Sequence, residues 1–279
     1  WVNSNESWYH IACENNNDFP FWLKDRGYAI WTVCFIGVWQ AFGFNMVLYL
    51  AGLTSIPREL YHAASGSGFA VNSNGYVVTN YHVIEGCGDV KIYHKGREIS
   101  ATVVDSDLYN DLALLKGNFR PTQFYSLSKN KPELLMEIFV AGYPFGYEIS
   151  TPVKVTKGIV SSLSGIGNNY SNFQYDAAIQ PGNSGGPIFN NKGNVIGVAV
   201  AKLDYEKIMD SFGTIPENTN FGIKSSVVIN FLESNNINLI NPNTQTMSNV
   251  KLGKIIPDGT YYLSCLMTMA QIERMRENK

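Results

Sequence analysis

Three stretches of the sequence decide the fold: GSGFAVNSNGYVVTNYHVI at residues 66–84, NDLALL at 110–115, and AAIQPGNSGGPIFNNKGNVIGV at 177–198. In each of them, short apolar runs are broken by glycine, asparagine or aspartate, which is the pattern of an all-β sandwich or barrel. Asn74 and Gly75 lie between two such runs and predict a β-hairpin, since both residue types tolerate the positive φ angles of a tight turn.

The same alternation predicts further strands along the chain. Strands are expected at residues 69–71, 76–79, 90–93, 98–104, 112–115, 138–142, 153–162 and 195–201. A helix is expected from Ser225 through Phe231, with the Ser225 side chain capping its free backbone N–H groups. Residues 65–234 are therefore predicted to form one all-β domain that ends in a helix.

One histidine, one aspartate and one serine stand out within this domain. His82 directly follows an apolar run, Asp111 opens another, and Ser184 lies in the glycine-rich stretch QPGNSGGPI. A serine hydroxyl is a poor nucleophile unless a base takes its proton and a third group holds that base in the correct tautomer. The three residues together predict a catalytic triad.

The glycines around Ser184 predict an oxyanion hole. Backbone N–H groups must point at the negative charge that develops on the scissile carbonyl oxygen, and glycine allows the tight turn that this requires. We expect the N–H groups of Gly182 and Ser184 to be the donors, with Asn183 shaping the loop between them.

The stretches quoted above, together with AGYPFG at residues 141–146, resemble the HtrA-type branch of the trypsin-like serine proteases over roughly residues 65–234. The resemblance implies two six-stranded β-barrels, with the active site in the cleft between them. It also implies a serine endopeptidase that cleaves unfolded or misfolded polypeptides through an acyl-enzyme, with no metal and no cofactor. Trimers are common in the resembled family, which leaves a homo-oligomer open.

The sequence departs from this family at both ends of the domain. In the family an additional strand usually precedes the Gly-Ser-Gly motif. A different segment occupies that place here, which leaves open whether the first barrel is complete. The 45 residues after Ser234 are too few for the peptide-binding PDZ domain of many family members. Residues 235–279 are expected to be a polar, asparagine-rich linker and a short C-terminal helix.

The substrate pocket can be approached from the nucleophile. In trypsin-like enzymes the residue six positions before the nucleophilic serine lies at the base of the P1 pocket; here it is Ala178, followed by Ile179. This base offers no carboxylate to an arginine or lysine side chain. With Val198 and Val200 as wall residues, the sequence predicts a preference for small or medium apolar P1 residues.

A hydrophobic segment precedes the β domain, within residues 1–64. No charged side chain occurs from residue 27 to residue 57. The run at residues 28–53 is longer than the roughly 20 apolar residues that a helix needs to cross a bilayer, and tryptophans suit its interfaces. A transmembrane helix is therefore expected, and a buried core helix is the alternative.

Part of this segment carries a second resemblance. Residues 43–65, GFNMVLYLAGLTSIPRELYHAAS, resemble the permease subunits of ABC sugar importers around their cytoplasmic EAA loop. In that family a short helix follows the proline, here Pro57, and docks on the ATPase subunit. His62 stands where a glutamate is usual, and the following Asp-Gly is absent. The match is too short to form a transport pathway.

The two resemblances imply opposite membrane orientations. The EAA loop is cytoplasmic, which would put the β domain in the cytoplasm. Lys24 and Arg26 precede the hydrophobic run while only Arg58 closely follows it, and the positive-inside rule then puts the domain outside. HtrA-type enzymes are commonly periplasmic, so a membrane-anchored periplasmic protease is expected, with the cytoplasm as the alternative.

Composition excludes some classes of function. Lys and Arg number 21 against 23 Asp and Glu, so the chain has no basic field for nucleic acid. The four cysteines are scattered and predict neither a zinc site nor a disulfide framework, and no signal peptide is visible. Two other functions stay open: a transporter component carrying an inactive protease-like binding module, and a chimera of two unrelated halves.

Overall fold

Short apolar runs form strands that close into two barrels within residues 59–279. These residues are one of the two compact units of the chain, and residues 1–58 are the other unit. The computed structural model describes residues 61–146, 151–201 and 219–277, together with nine helical positions between Cys34 and Met46. The two six-stranded barrels confirm the predicted fold class.

The first barrel consists of β1 (Tyr61–Ala70), β2 (Tyr76–Thr79), β3 (Asp89–His94), β4 (Arg97–Asp107), β5 (Leu112–Gly117) and β12 (Thr260–Met267). The strands are antiparallel and close in the order β1-β12-β3-β4-β5-β2. Because side chains alternate across a strand, one face of each strand points inward. Ile92, Leu115 and Leu263 are among the fully buried residues of this interior.

The second barrel consists of β6 (Glu137–Gly142), β7 (Lys154–Ser162), β8 (Asn172–Tyr175), β9 (Pro187–Phe189), β10 (Val195–Val200) and β11 (Asn220–Lys224). It closes in the order β10-β11-β8-β7-β6-β9. Its interior contains Phe173, Ile188 and Ala199, all fully buried.

Four α-helices lie around the barrels in the described part of residues 59–279: α1 (Tyr81–Ile84), α2 (Ser225–Ser234), α3 (Asn249–Gly259) and α4 (Met269–Glu277). A third apolar cluster joins both barrels to α2 and α3; its members include Phe69, Leu114, Phe139, Val198, Leu232 and Ile256. The two barrels and these two helices therefore share one apolar core.

Strand β12 corrects the expectation for residues 235–279. The sequence predicted a polar linker and a short helix there, but residues 260–267 form a strand that pairs with both β1 and β3. The first barrel is therefore closed rather than short of a strand. A strand from the far end of the chain can fill this place because strand pairing depends on neighbouring backbones, not on sequence order.

A disulfide, which the sequence did not predict, fastens β12 in place. Cys265 of β12 is bonded to Cys87, which follows α1, and the two Cα atoms are 5.3 Å apart. Cysteines so far apart in sequence give no pairing signal, because only the fold brings them together.

The predicted hairpin forms with a longer connection than expected. Strands β1 and β2 pair, and residues 71–75 connect them, with Gly75 at a φ of 81°. Asn74 does not have a positive φ, and its N–H instead donates to Oδ1 of Asn72 at 2.9 Å. The connection is therefore not a two-residue primed turn, which requires two positive φ angles.

The predicted strands are present, with their ends shifted by up to three residues, except that the strand predicted at 69–71 begins eight residues earlier, at Tyr61. Strands β8, β9 and β11, of four, three and five residues, were missed. The predicted cap of α2 is wrong: Lys224 is the N-cap residue, and Ser225 Oγ donates to the Ser128 carbonyl oxygen at 2.7 Å.

The predicted membrane segment at residues 28–53 lies mostly outside the described residues. Its nine described positions are helical, and the large apolar side chains among them are exposed: Phe35, Val38, Trp39, Phe42 and Met46. Within the residues that the structure describes, no helix combines the length and the hydropathy needed to cross a membrane.

The permease resemblance placed the residues after Pro57 in a short docking helix. Most of that stretch lies outside the described residues, but residues 61–65 begin strand β1. Their backbone pairs with residues 264–267 of β12, which satisfies hydrogen bonds that a helix would have made locally. These residues are therefore part of the first barrel rather than a helix.

Candidate active site

His82 and Asp111 lie side by side at the end of the first barrel. His82 is in α1, directly after β2, and Asp111 directly precedes β5, which pairs with β2. His82 Nδ1 is 2.7 Å from Asp111 Oδ2, and the His82 backbone N–H donates to Asp111 Oδ1 at 2.9 Å. Both oxygens of one carboxylate thus hold one histidine, which favours the proton on Nδ1 and leaves Nε2 as the base.

Asn80 supports this pair, and the sequence motifs did not single it out. Asp111 has a φ of 53°, a left-handed conformation that aspartate adopts more readily than most residues. The fully buried Asn80 donates from Nδ2 to the Asp111 backbone carbonyl at 2.9 Å. Asn80 directly follows the run YVVT and lies two positions before His82. A polar residue at that place was the sequence signal that could have identified it.

The loop that carries Ser184 is held through its backbone carbonyls. Ser67 makes two of these bonds: its Oγ donates to Gly182 O at 2.7 Å, and its N–H donates to Ser184 O at 2.7 Å. The Phe145 N–H donates to Pro181 O at 2.8 Å, and the Gly186 N–H donates to Asn183 O at 3.0 Å. Gly182 has a φ of 99°, and a Cβ there would collide with the Tyr143 carbonyl oxygen. Only glycine suits this position.

Two N–H groups of the loop remain unused. The Asn183 N–H donates to Gln180 O at 3.0 Å, whereas the N–H groups of Gly182 and Ser184 make no hydrogen bond within the described residues. Because the neighbouring carbonyls are fixed, the direction of these two N–H groups is fixed as well. Such pre-oriented donors are what an oxyanion hole requires.

Ser184 lies in the second barrel's loop, next to the segment that carries His82. An added Cβ on Gly185 would lie 3.0 Å from Asn80 N, so the two segments are in close contact. Ser184 Oγ accepts the Ala201 N–H at 3.0 Å and makes no hydrogen bond to His82 among the described residues. In unliganded enzymes catalytic hydrogen bonds are often longer than in the substrate complex.

The four residues predicted to line the substrate pocket do not share one surface. Ala178 is exposed, and Ile179 packs against the interior cluster of the second barrel. Val198 is fully buried in the cluster shared with α2 and α3, and Val200 packs against that same cluster. Val198 and Val200 therefore point to the opposite side of β10 from Ile179.

The described residues contain no group of three or more His, Cys, Asp or Glu side chains that could hold a metal ion. Two of the four cysteines, Cys87 and Cys265, form the disulfide, and Cys34 is free and exposed.

Comparison with protein families matches residues 66–198 to the family described as the trypsin-like peptidase domain. The match begins after the segment that resembles a permease, and so gives that resemblance no support. His82, Asp111 and Ser184 all lie within the matched residues.

Several curated proteins are similar to the chain. The uncharacterised protein y4bJ of Sinorhizobium fredii is 34% identical over 75% of this chain and 33% of its own length. Two proteins named probable periplasmic serine endoprotease DegP-like, from Hahella chejuensis and Chlamydia muridarum, are 41% and 37% identical over 48% and 57% of this chain. The matches span 29% and 32% of those two proteins, so the chain spans about a third or less of these relatives.

Among solved structures, the crystal structure of the serine endoprotease from Yersinia pestis is similar to the chain. The two share 29% sequence identity, with a TM-score of 0.50 over 62% of this chain and 57% of the other.

Proposed function

We propose that this chain, whose residues 66–198 match the trypsin-like peptidase domain family, is a serine endopeptidase that hydrolyses peptide bonds of unfolded or misfolded proteins with Ser184 as nucleophile. The observation that carries the proposal is the pair of hydrogen bonds by which Asp111 holds His82, at 2.7 and 2.9 Å. A histidine fixed in this way at the end of one barrel, beside a glycine-rich serine loop of the other, is arranged for acyl transfer.

The reaction begins when Ser184 Oγ leaves the Ala201 N–H and turns toward His82 Nε2 as substrate binds. Oγ attacks the scissile carbonyl carbon and its proton passes to Nε2, while Asp111 stabilises the resulting imidazolium. The N–H groups of Gly182 and Ser184 receive the oxyanion. As the C–N bond breaks, His82 returns the proton to the leaving amine, and water then hydrolyses the acyl-enzyme by the same route.

We propose that the enzyme prefers small or medium apolar side chains at P1. The exposed Ala178 brings no charge to the position expected at the base of the pocket, and the neighbouring Ile179 is apolar and half-buried. The proposal rests on these two residues, because Val198 and Val200 face the other cluster. Cleavage of a peptide library after Val, Ala and Leu is the expected result; efficient cleavage after Arg with none after Val would overturn it.

We propose an extracytoplasmic location for the peptidase domain. The disulfide between Cys87 and Cys265 suits an oxidising compartment, where such bonds form and persist. Two relatives are named as periplasmic proteins, which agrees with this location. Protease added to intact spheroplasts should degrade the domain, whereas full protection would place it in the cytoplasm.

Membrane anchoring through residues 28–53 and assembly into a homo-oligomer remain proposals. The anchor rests on the long uncharged run alone, and the oligomer on the resemblance alone. Carbonate extraction of membranes tests the first, since an anchored chain stays in the pellet. Sedimentation velocity of the purified chain tests the second by its mass.

The proposed function is tested by casein hydrolysis with the purified 279-residue chain, its disulfide intact, beside its Ser184→Ala form. Serine-dependent cleavage is expected, because Ser184 Oγ acts in the chemistry and, among the described residues, makes a single hydrogen bond, which it accepts from Ala201 N–H. Equal turnover by both forms would refute Ser184 as the nucleophile. A folded chain without any turnover would instead support the inactive binding module.

A further inference from the structure

Ser67 makes hydrogen bonds to both sides of the loop that carries Ser184. It lies in β1 and is fully buried. Its backbone N–H donates to Ser184 O at 2.7 Å, and its Oγ donates to Gly182 O at 2.7 Å. A single residue of the first barrel thus fixes two carbonyls of a loop that belongs to the second barrel.

The direction of the Ser67 hydroxyl is set by a third hydrogen bond. Tyr143 N–H donates to Ser67 Oγ at 2.9 Å. A backbone N–H can only donate, so Oγ accepts there, and its own hydrogen is left for Gly182 O. The hydroxyl therefore accepts a hydrogen bond from the Tyr143 backbone and donates one to the Gly182 carbonyl.

Gly182 is the loop residue that most needs such a restraint. Glycine has the widest conformational freedom of any residue, and Gly182 is at a φ of 99°. Its N–H, proposed as an oxyanion donor, belongs to the peptide that Phe145 N–H holds at Pro181 O. Its carbonyl belongs to the next peptide, which Ser67 Oγ holds. With both peptides held, Gly182 N–H keeps its direction.

We propose that Ser67 is a positioning residue for the oxyanion hole, acting through its hydroxyl on the Gly182 carbonyl. The inference rests on the proposed peptidase function and names a residue that acts through another rather than on substrate. Removing Oγ leaves the buried Gly182 carbonyl without its donor, which favours rotation of that peptide toward another partner. The Ser67 N–H bond to Ser184 O survives, so the loss falls on the two groups that bind Oγ, the Gly182 carbonyl and the Tyr143 N–H.

The test compares Ser67→Ala and Ser67→Thr in the full chain, with Ser225→Ala as the matched control. Ser225 is also buried and also donates from Oγ to a carbonyl, that of Ser128, away from the site. For Ser67→Ala we expect kcat to fall about 10- to 100-fold. This fall is smaller than, or comparable with, the fall in kcat that follows removal of an oxyanion-hole donor. KM should stay within about threefold, because substrate binding is not the altered step.

Ser67→Thr keeps the hydroxyl and should retain most of kcat, even though its extra methyl group lowers the melting temperature. A merely structural role would instead make kcat follow stability, with Ser225→Ala as impaired as Ser67→Ala. A peptide boronic acid, whose tetrahedral adduct occupies the oxyanion hole, should bind Ser67→Ala more weakly by a factor similar to the loss of kcat.

Two further outcomes are decisive. If Ser67→Ala does not fold, Ser67→Cys replaces it, since its sulfur fills the space of the lost oxygen and its S–H group is only a weak donor, and the same fall in kcat is expected. Parental kcat in any folded variant without the hydroxyl overturns the positioning role. Failure of the peptidase function is distinguishable, because the parent chain itself would then show no Ser184-dependent cleavage.

Discussion

Cys87 and Cys265 are bonded to each other across a sequence separation of 178 residues. Cys87 follows α1, the helix that carries His82, and Cys265 lies in the middle of β12. The strand that closes the first barrel is thus covalently tied to the segment directly behind the histidine. Stability of the C-terminal strand and order around His82 are therefore linked.

Removing this disulfide should destabilise the chain. For the double variant Cys87→Ser, Cys265→Ser we expect the free energy of unfolding to fall by about 2–4 kcal/mol, as for other disulfides that close long loops. Denaturant unfolding without reductant measures it. Cys34→Ser is the control and should match the parent, since Cys34 is free. Equal midpoints for the parent and the double variant would contradict the prediction.

Asn80→Ala should weaken both stability and catalysis. Loss of the bond from Asn80 Nδ2 leaves the Asp111 carbonyl without this donor and should cost about 1–3 kcal/mol. Because Asp111 orients His82, kcat should fall while KM changes little. Asn110→Ala is the control, because Asn110 bonds to the Asp107 side chain instead. Parental kcat in a folded Asn80→Ala chain would exclude this role.

Leu135→Gly should stabilise the chain. Leu135 is exposed with a φ of 63°, a conformation that favours glycine. Relief of that strain outweighs the greater freedom of glycine in the unfolded chain, so a gain of about 0.5–1 kcal/mol is expected. The neighbouring Leu134, also exposed but without a positive φ, is the control, and Leu134→Gly should give no gain. Thermal unfolding of both variants checks the pair.

His94 should make stability depend on pH. Burial lowers the pKa of His94 below its ordinary value of about 6.5, the charge of Lys95 acts in the same direction, and Asp258 opposes them. The unfolded chain therefore takes up this proton at a higher pH than the folded chain. Stability is retained above about pH 6.5 and falls as the pH drops through the lowered folded pKa.

The test is the melting temperature of the parent and of His94→Gln at pH 7.5 and 5.5. The parent should lose more than the variant over this interval, because glutamine does not titrate. The His94 ring packs edge-on against Tyr261 of β12, with ring centroids 5.0 Å apart, so the loss should accompany loosening of that strand. An identical pH dependence in both proteins would show that His94 contributes nothing.

Much of the site could be predicted because its candidate catalytic residues occur in short, local sequence motifs. His82, Asp111 and Ser184 each occur next to strand or glycine signals that need no knowledge of distant contacts. The alternation of apolar residues also predicted most strands, since period two reflects the two faces of any strand. Sequence by itself thus determined the fold class and the candidate nucleophile, base and orienting residue.

Only the tertiary structure decided which distant segments meet. Strand β12 closes the first barrel, Cys265 meets Cys87, and Ser67 reaches Gly182 across 115 positions. The tertiary structure also places Val198 and Ile179 in different apolar clusters, although the sequence predicted that both line the substrate pocket. Neighbouring strands and helices determine which cluster covers each face of β10. Such relations depend on backbone pairing and packing between segments remote in sequence, and no local pattern of residue types encodes them.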